Sequence, residues 1–245
     1  RTCCLKLCEG VNMERIKTGI TGLDDMLNGG FPTGHIVSVL GAFGTGKTCF
    51  AIQFLHQGLV EGEKALFITL EEEEESIIQN ALSFGFDLKP YIETEKLAIY
   101  KLLPSEAKSS IEKIKTELPN VICASGIKRL AIDSISLLTM MFENEGEKRE
   151  TLFALCQKIK KSGATAVFTA EAKPENPNVS RDGMVEYVSD GVIVLYYFED
   201  PRHGSEIRTF LKILKMRRTP HSRKIKPYEL GKNGITVLSK AEVLE

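Results

Sequence analysis

Short apolar runs alternate with longer segments of helical periodicity along most of the chain. The apolar runs have strand length and contain few polar residues, which is typical of parallel strands covered by helices on both faces. The predicted strands are 36–40, 65–70, 97–101, 130–133, 164–170 and 192–197. The predicted helices are 47–61, 74–84, 105–118 and 147–161. Gly163 follows the last helix at the position of a C-terminal cap.

The pattern changes after residue 197. Residues 207–215 and 235–238 predict strands joined by turns, which we expect as antiparallel additions at the edge of the sheet. Residues 174–183 are rich in Pro and Asn and have neither a helical nor a strand period, so they predict a mobile, functional loop. The expected fold class is α/β, with a mostly parallel central sheet flanked by helices and antiparallel strands near the C-terminus.

Length and composition indicate one globular domain. The chain has 245 residues, close to the size of about 250 residues at which chains divide into domains. Met13 opens the first patterned segment, so we assign residues 14–245 to the domain and 1–13 to an N-terminal extension. A net charge of −1 argues against a surface built wholly for nucleic acid, and the absence of long apolar runs predicts no membrane span and a cytoplasmic protein. The six cysteines form no Cys-x-x-Cys pair, which gives no sign of a zinc site.

Residues 41–48 match the phosphate-loop pattern G-x-x-x-x-G-K-[ST] at every fixed position. A predicted strand precedes the loop and a predicted helix follows it, so backbone N–H groups would face a bound phosphate. Lys47 would neutralise the β and γ phosphates of a nucleotide, and the hydroxyl of Thr48 can ligate Mg²⁺. The predicted nucleotide contacts are Gly41, Ala42, Phe43, Gly44, Thr45, Gly46, Lys47, Thr48 and Cys49.

A second metal contact is expected at the end of another strand. Asp133 closes the apolar run 130–133, and parallel strands deliver their carboxyl ends to one edge of a sheet. Asp133 should therefore lie near Thr48 and hold Mg²⁺ through a water molecule. An Asp at a strand end is weak support when taken alone, but it gains weight beside the phosphate loop.

A run of five glutamates, residues 71–75, follows the predicted strand 65–70. Glu71 and Glu72 come directly after the strand, at the edge where the phosphate loop is expected, so we interpret both as catalytic groups for the attacking water. The next three glutamates enter a predicted helix, where acidic side chains favour the N-terminal dipole and face solvent.

Residues 202–226 contain nine Lys or Arg and one acidic residue, Glu206. This segment could be a solvated edge, a nucleic-acid contact, or a donor of cations to the nucleotide of a neighbouring subunit. Lys215 and Arg217 alternate with Met216 on a predicted strand and so point the same way. Two cations on one face could stabilise a transferring phosphoryl group in trans.

The chain resembles ATPases of the RecA superfamily, and among them the KaiC-like family, from about residue 15 to 238. The resemblance rests on the opening run IKTGITGLDDMLNGGFPTG (residues 16–34), the phosphate loop, Glu71-Glu72, Ile132-Asp133-Ser134 and Lys215-Met216-Arg217. It implies a RecA-like P-loop fold, with paired catalytic glutamates at 71 and 72. It further implies hexameric rings with ATP bound between subunits, where Lys215 and Arg217 contact the ATP of the next subunit.

Two departures limit what the resemblance implies. KaiC carries two such domains in tandem, whereas one is present here. The adjacent hydroxyl residues that KaiC phosphorylates fall at Glu186 and Tyr187, so a clock-type phosphorylation cycle is not expected.

The favoured function is slow, Mg²⁺-dependent hydrolysis of ATP by a ring-forming homo-oligomer that switches a protein partner. One alternative is a DNA-binding, recombinase-like ATPase that uses 174–183 as its strand contact. That region carries Lys173 and Arg181 but also Glu175 and Asp182, so its charge does not favour nucleic acid. The other alternative is a regulatory scaffold that holds ATP with negligible turnover.

Overall fold

The structure is a computed structural model that describes residues 14–103, 113, 116–200 and 206–241. Its strands are β1 (Arg15–Ile16), β2 (Phe31–Pro32), β3 (Ile36–Gly41), β4 (Lys64–Thr69), β5 (Leu97–Lys101), β6 (Ile127–Asp133), β7 (Thr165–Lys173), β8 (Asn176–Ser180), β9 (Gly191–Asp200), β10 (Glu206–Met216), β11 (Lys226–Gly231) and β12 (Gly234–Val237). Its helices are α1 (Leu23–Met26), α2 (Lys47–Val60), α3 (Glu74–Ser83), α4 (Lys89–Glu93), α5 (Leu118–Ser125), α6 (Ile135–Met140), α7 (Glu145–Ser162) and α8 (Val185–Val188).

Within the described ranges, ten strands form one mixed sheet with β3 in its interior. The strand order is β12-β11-β10-β9-β3-β7-β6-β4-β5, and β8 pairs with β7. The ladders from β9 through β3, β7, β6 and β4 to β5 are parallel, whereas β9-β10-β11-β12 is an antiparallel series. The expected α/β class, with antiparallel strands added near the C-terminus, is confirmed.

Apolar side chains cover both faces of the sheet and form two cores. On one face Val39 packs in a cluster with Phe54 of α2, and on the other Leu40 packs in a cluster with Leu155 of α7. Burial of one such side chain contributes about 1.5–3 kcal/mol. The six residues of β3 are all buried, and this explains why apolar residues occupy both faces of the strand, with Ser38 as the one polar exception, rather than alternating with polar ones.

The parallel strands give the sheet two functionally different edges. The carboxyl ends of β3, β4, β6 and β7 lie along one side of the sheet, which we call the phosphate edge. This side carries Gly41, Glu71, Asp133 and Glu171. The opposite edge, which we call the amino edge, is where β3 and β9 begin at Ile36 and Gly191. Because β10 runs antiparallel to β9, its last residue, Met216, also lies at the amino edge, paired with Gly191.

Most predicted elements agree with the structure to within about three residues, and Gly163 caps α7 in the left-handed region at φ 78°. The predicted helix 105–118 falls largely outside the described residues. The prediction of an irregular loop over 174–183 is wrong, because β8 pairs antiparallel with β7 there. Pro177 hid this strand from sequence analysis, although proline is tolerated in an edge strand, where its missing N–H faces no partner.

Among the described residues, no helix has both the length and the apolar character needed to span a bilayer.

Candidate nucleotide-binding site

The phosphate loop connects the end of β3 to the first turn of α2, as its pattern predicts. Gly44 and Gly46 have φ values of 75° and 86°, in the left-handed region that favours glycine. Gly41 is held in a different way, since a Cβ atom there would collide with the Thr45 hydroxyl and lie 2.8 Å from the carbonyl oxygen of Leu195. The three glycines of the motif are therefore required by the shape of the loop.

Hydrogen bonds inside the loop hold it in place. The carbonyl oxygen of Ala42 accepts bonds from Thr45 Oγ1 and Lys47 Nζ, each 2.8 Å long. The hydroxyl of Tyr228, on β11, donates to the carbonyl oxygen of Thr45 at 2.7 Å. Burial raises the pKa of Tyr228, so its hydroxyl stays protonated and remains a donor. A residue of the antiparallel strands thus stabilises the backbone of the phosphate loop. Sequence analysis did not identify this contact.

The side chains of the loop differ in what they can offer a ligand. Phe43 is 85% exposed at the tip, whereas Thr45 is buried and Thr48 is partly exposed at the start of α2. Cys49 is buried in the core, and burial raises the pKa of its thiol to about 12. The Cys49 thiol therefore faces away from a nucleotide, and only its backbone N–H can contribute to the predicted contact.

Three carboxylates act on the charge of the Lys47 ammonium. Burial lowers the pKa of Lys47, while the negative charges of Asp133, Glu171 and Glu71, in that order of strength, act in the opposite direction. These three acids come from the ends of β6 and β7 and from the segment after β4, so the parallel sheet brings together residues that are far apart in sequence. The phosphate edge consequently combines one partly buried lysine with several acids beside the backbone N–H groups of the loop.

Asp133 lies where the sequence predicts it, at the carboxyl end of β6. Its Oδ1 accepts a hydrogen bond from Thr169 Oγ1 at 2.5 Å, which fixes the carboxylate beside β7. The Thr48 hydroxyl and the Asp133 carboxylate are hard oxygen ligands that suit Mg²⁺. Among the described residues no cluster of three His, Cys, Asp or Glu could hold a metal by itself. This donor set fits Mg²⁺, which keeps several waters and is usually bound through substrate phosphates.

Glu71 and Glu72 differ in their surroundings despite being adjacent. The Thr69 hydroxyl accepts hydrogen bonds from the backbone N–H groups of both residues, at 3.2 and 3.0 Å, and so closes a turn after β4. Glu72 Oε2 then accepts bonds from Ser76 and Asn80 of α3. Glu71 is exposed, and within the described part of the chain its carboxylate has no hydrogen-bond partner. Of the two glutamates, Glu71 is the one whose negative charge acts to raise the pKa of Lys47.

Glu171 is a residue of this edge that sequence analysis missed. It pairs with Gly41 in the β3-β7 ladder, and its Oε2 lies 2.8 Å from Arg181 Nη1 in an ion pair. The signal was available, because Glu171 directly follows the predicted strand 164–170 just as Asp133 closes 130–133. This ion pair also offsets the charge of Arg181. Arg181 and Lys173 are the two cations that a DNA contact around 174–183 would have used.

Lys215 and Arg217 lie at the amino edge, away from the phosphate loop of their own chain. Met216 pairs with Gly191, which pairs with Val37, whereas the loop begins four residues along β3 at Gly41. Four strand residues span about 13 Å. Both side chains line a cavity of about 420 Å³, whereas Met216 is buried, as alternation on the strand predicts. The cations of this chain are therefore not brought to its own phosphate site.

Each cation is held by the segment before β9. Lys215 Nζ donates to the carbonyl oxygen of Glu186 at 2.7 Å, and Arg217 Nη1 lies 3.3 Å from Asp190 Oδ1. Burial lowers the pKa of Lys215, and the nearby positive charge of Arg217 acts in the same direction. Tyr187, which is 79% exposed, lines the same cavity. This edge is a cationic surface with an exposed aromatic ring.

Comparisons with known proteins agree with this geometry. Residues 16–242 match the family described as "ATPase: KaiC". The circadian clock oscillator protein KaiC of Acaryochloris marina is 36% identical over 234 residues, and that of Synechococcus elongatus is 34% identical over 236 residues. These matches cover 93% and 92% of this chain but 44% of each relative, so the chain spans less than half the length of the curated relatives it matches.

A solved structure of a KaiC-like protein from the hyperthermophilic archaeon Pyrococcus horikoshii is also similar. It superposes with a TM-score of 0.81 at 38% identity, and the match covers 92% of this chain and 99% of that one. The RecA-like fold that the family resemblance implies is thereby confirmed. With a family match over nearly its whole length, the chain belongs to the KaiC family of ATPase domains.

Proposed function

We propose that this protein hydrolyses ATP in a Mg²⁺-dependent reaction, and that it acts as a ring-forming switch in which each nucleotide is completed by the neighbouring subunit. The observation that carries the proposal is the grouping of Asp133, Glu171 and Glu71 around Lys47 at the mouth of the phosphate loop. A cradle of backbone N–H groups with one lysine binds phosphates, and the added carboxylates supply metal binding and water activation.

Each residue of the phosphate edge has a role in this reaction. The loop N–H groups and Lys47 bind and orient the triphosphate, so that the γ-phosphorus faces the attacking water on the side opposite the bridging oxygen. Thr48, and Asp133 through a water molecule, would hold Mg²⁺, which when bound neutralises charge on the β and γ phosphates. Glu71 accepts a hydrogen bond from the attacking water and takes its proton as the new P–O bond forms, while the bond from the γ-phosphorus to the bridging oxygen breaks and its electron pair stays on the oxygen of ADP. The products are ADP and phosphate.

We assign Glu72 a supporting role in the same reaction. Its hydrogen bonds to Ser76 and Asn80 tie the turn after β4 to α3. That turn also carries Glu71, and its backbone is closed on the Thr69 hydroxyl. Glu72 therefore fixes the direction from which Glu71 approaches the water.

The positions of Lys215 and Arg217 support catalysis in trans. Because these cations lie at the amino edge, they can meet a phosphate only in another copy of the chain. The two edges are complementary, since the phosphate edge carries exposed Phe43 and the glutamates of 71–75 and the amino edge carries the cations and Tyr187. A head-to-tail contact of this kind closes into a ring when the rotation per subunit allows it. The family resemblance implies six subunits.

In such a ring the nucleotide would link neighbouring subunits, so that hydrolysis and phosphate release would loosen the contact. A change of this kind can bias a bound protein partner between two states. This part of the proposal gives ATP turnover a switching role rather than a metabolic one.

The proposal is tested by phosphate release from Mg-ATP as a function of protein concentration, with assembly followed by light scattering. We expect the rate per subunit to rise with concentration and reach a plateau as rings form, and to vanish when EDTA removes Mg²⁺. The Arg217→Ala variant should still bind ATP but lose the concentration-dependent part of the rate. A rate per subunit that is already maximal for monomers would rule out completion in trans, and ATP binding without turnover would support a scaffold.

A further inference from the structure

We infer that Asp190 is a positioning residue for the reaction, because it fixes Arg217 to the first residue of β3 and so aims the guanidinium at the nucleotide of the next subunit. This inference rests on the proposed function, since it assigns a role to Asp190 only if Arg217 acts in trans.

Four hydrogen bonds join Asp190 to two distant segments. Its backbone N–H donates to the carbonyl oxygen of Ile36 at 2.8 Å, and its Oδ2 accepts from the Ile36 N–H at 3.1 Å. Its carbonyl oxygen accepts from the Arg217 N–H at 2.9 Å, and its Oδ1 lies 3.3 Å from Arg217 Nη1. Asp190 thus binds the backbone of Arg217 and its side chain at once, and anchors both to a fully buried residue of the central strand.

The position of this carboxylate is itself well determined. The Asp190 side chain is only 9% exposed, and Lys160 Nζ of α7 lies 2.8 Å from Oδ1. Burial acts to raise the pKa of Asp190, but hydrogen bonds from Lys160 and from the Ile36 N–H outweigh it and hold the pKa below its ordinary value. The group is therefore charged at neutral pH and can serve as a fixed acceptor.

The contact orients Arg217 without neutralising it. Lys160 lies closer to Asp190 Oδ1 than Arg217 does, at 2.8 against 3.3 Å, so the Asp190 carboxylate is not paired with Arg217 alone. The Arg217 side chain is 52% exposed and uses one of its five N–H groups on Asp190. Arg217 also lines the cavity that it shares with Lys215 and Tyr187. An arginine held in this way is pre-organised for a phosphate, which lowers the entropy lost when the contact forms.

Mixed rings separate this role from a general structural one. We call the subunit that supplies the phosphate site the acceptor and the neighbouring subunit that supplies the cations the donor. The acceptor is the Arg217→Ala variant, whose phosphate edge is intact. The donor is the Glu71→Gln variant, whose Lys215 and Arg217 are intact. A 1:1 mixture should recover about a quarter of the wild-type rate per subunit, since half of the subunits keep a working phosphate edge and half of those meet a donor. Adding Asp190→Asn to the donor should reduce this recovery by about tenfold, because both oxygens of Asp190 accept hydrogen bonds and the single amide oxygen of Asn cannot accept from Ile36 on one side and from Lys160 and Arg217 on the other, so Arg217 is held less firmly. Adding Asp190→Asn to the acceptor should leave the recovery unchanged.

Lys160→Met in the donor is the matched control, because it breaks the same Lys160–Asp190 ion pair but keeps the carboxylate that faces Arg217. We expect its recovery to stay within about twofold of the parent donor. Assembly of each mixture is checked by light scattering. If the Asp190→Asn donor does not fold, Asp190→Glu replaces it and should lose part of the recovery in the donor alone.

The outcomes distinguish this inference from the proposal on which it rests. If no donor restores activity to the acceptor, completion in trans is wrong and the inference falls with it. If the parent donor restores activity and the Asp190→Asn donor does so equally well, only the inference is overturned. Equal losses for Lys160→Met and Asp190→Asn would also overturn it, since the effect would then follow the ion pair and not the contact to Arg217.

Discussion

Glu72 Oε2 accepts a hydrogen bond from Asn80 Nδ2 at 2.7 Å, and this bond ties the second glutamate of the pair to α3 while leaving Glu71 beside the charge of Lys47. We therefore predict that Glu71→Gln lowers the turnover of ATP by about 10²–10⁴-fold, since an amide cannot take the proton of the attacking water. Glu72→Gln should cost far less, because an amide oxygen still accepts hydrogen bonds from Ser76 and Asn80.

Steady-state phosphate release at saturating Mg-ATP checks this prediction, with nucleotide binding measured in parallel. The Asn80→Ala variant is the control for the supporting role and should resemble a variant of Glu72 rather than one of Glu71. Equal losses of turnover in the two Gln variants would contradict the division of roles.

The sequence predicts most of the sheet because its central strands are buried on both faces. Strand β3 is almost entirely apolar for this reason, with Ser38 as its one polar residue, and the glycines of the phosphate loop mark its end. Edge elements are harder to predict, since β8 contains Pro177 and has few apolar residues to bury. Its strand conformation depends on pairing with β7, which no local pattern reveals.

The candidate site is predictable where a motif carries it and not where it depends on tertiary contacts. The phosphate loop and Asp133 follow from spacing and from the parallel sheet. The support that Tyr228 gives to Thr45 joins residues 183 positions apart. The difference between Glu71 and Glu72 depends on which carboxylate reaches Asn80, and adjacent residues of identical type cannot be told apart by sequence.

Lys47→Ala should abolish the stabilisation that ATP gives to the folded protein. At a ligand concentration one hundred times the Kd, binding to the native state contributes about 2.7 kcal/mol. The variant removes the lysine of the phosphate loop, which is partly buried, so the melting temperature should no longer rise when Mg-ATP is added. Lys64→Ala, an exposed lysine at the start of β4, is the control and should keep the shift. An unchanged shift in Lys47→Ala would contradict the role of Lys47.

Arg129 is a charged residue that sequence analysis leaves outside the core, although its side chain is completely buried. Its guanidinium pairs with Glu61 and Glu63 and donates to the carbonyl oxygens of Lys17 and Phe54. The predicted strand begins one residue later, at 130, because a charge in an apolar run usually marks a strand end. Here the ion pairs and the bonds to backbone satisfy the guanidinium inside the fold, as a buried charge requires.

This cluster makes Gly58 of α2 sensitive to substitution. In a helix Gly→Ala normally stabilises by up to about 1 kcal/mol. At Gly58 a Cβ would overlap the Cδ and Nε atoms of Arg129, so we predict that Gly58→Ala destabilises by about 1–3 kcal/mol. Urea unfolding measures the change, and Val60→Ala, at an exposed site of the same helix, should stay within about 0.5 kcal/mol of wild type. A gain in stability for Gly58→Ala would show that Arg129 can move aside.

His56 should make the stability of the fold depend on mildly acidic pH. Its ring lies 4.9 Å from that of Phe86 between ring centroids, and burial lowers its pKa below the ordinary value of 6.5. Below about pH 6.5 the unfolded chain therefore binds a proton that the native state does not bind, so stability falls as the pH decreases, by at most about 1.4 kcal/mol per pH unit. We predict that His56→Leu reduces this loss. Urea unfolding of the wild type and of His56→Leu at pH 5.5 and 7.5 measures the loss of stability in each. Burial also lowers the pKa of His35, but His35 is present in both proteins and contributes equally to both losses. Parallel losses of stability in the two proteins would show that His56 is not responsible.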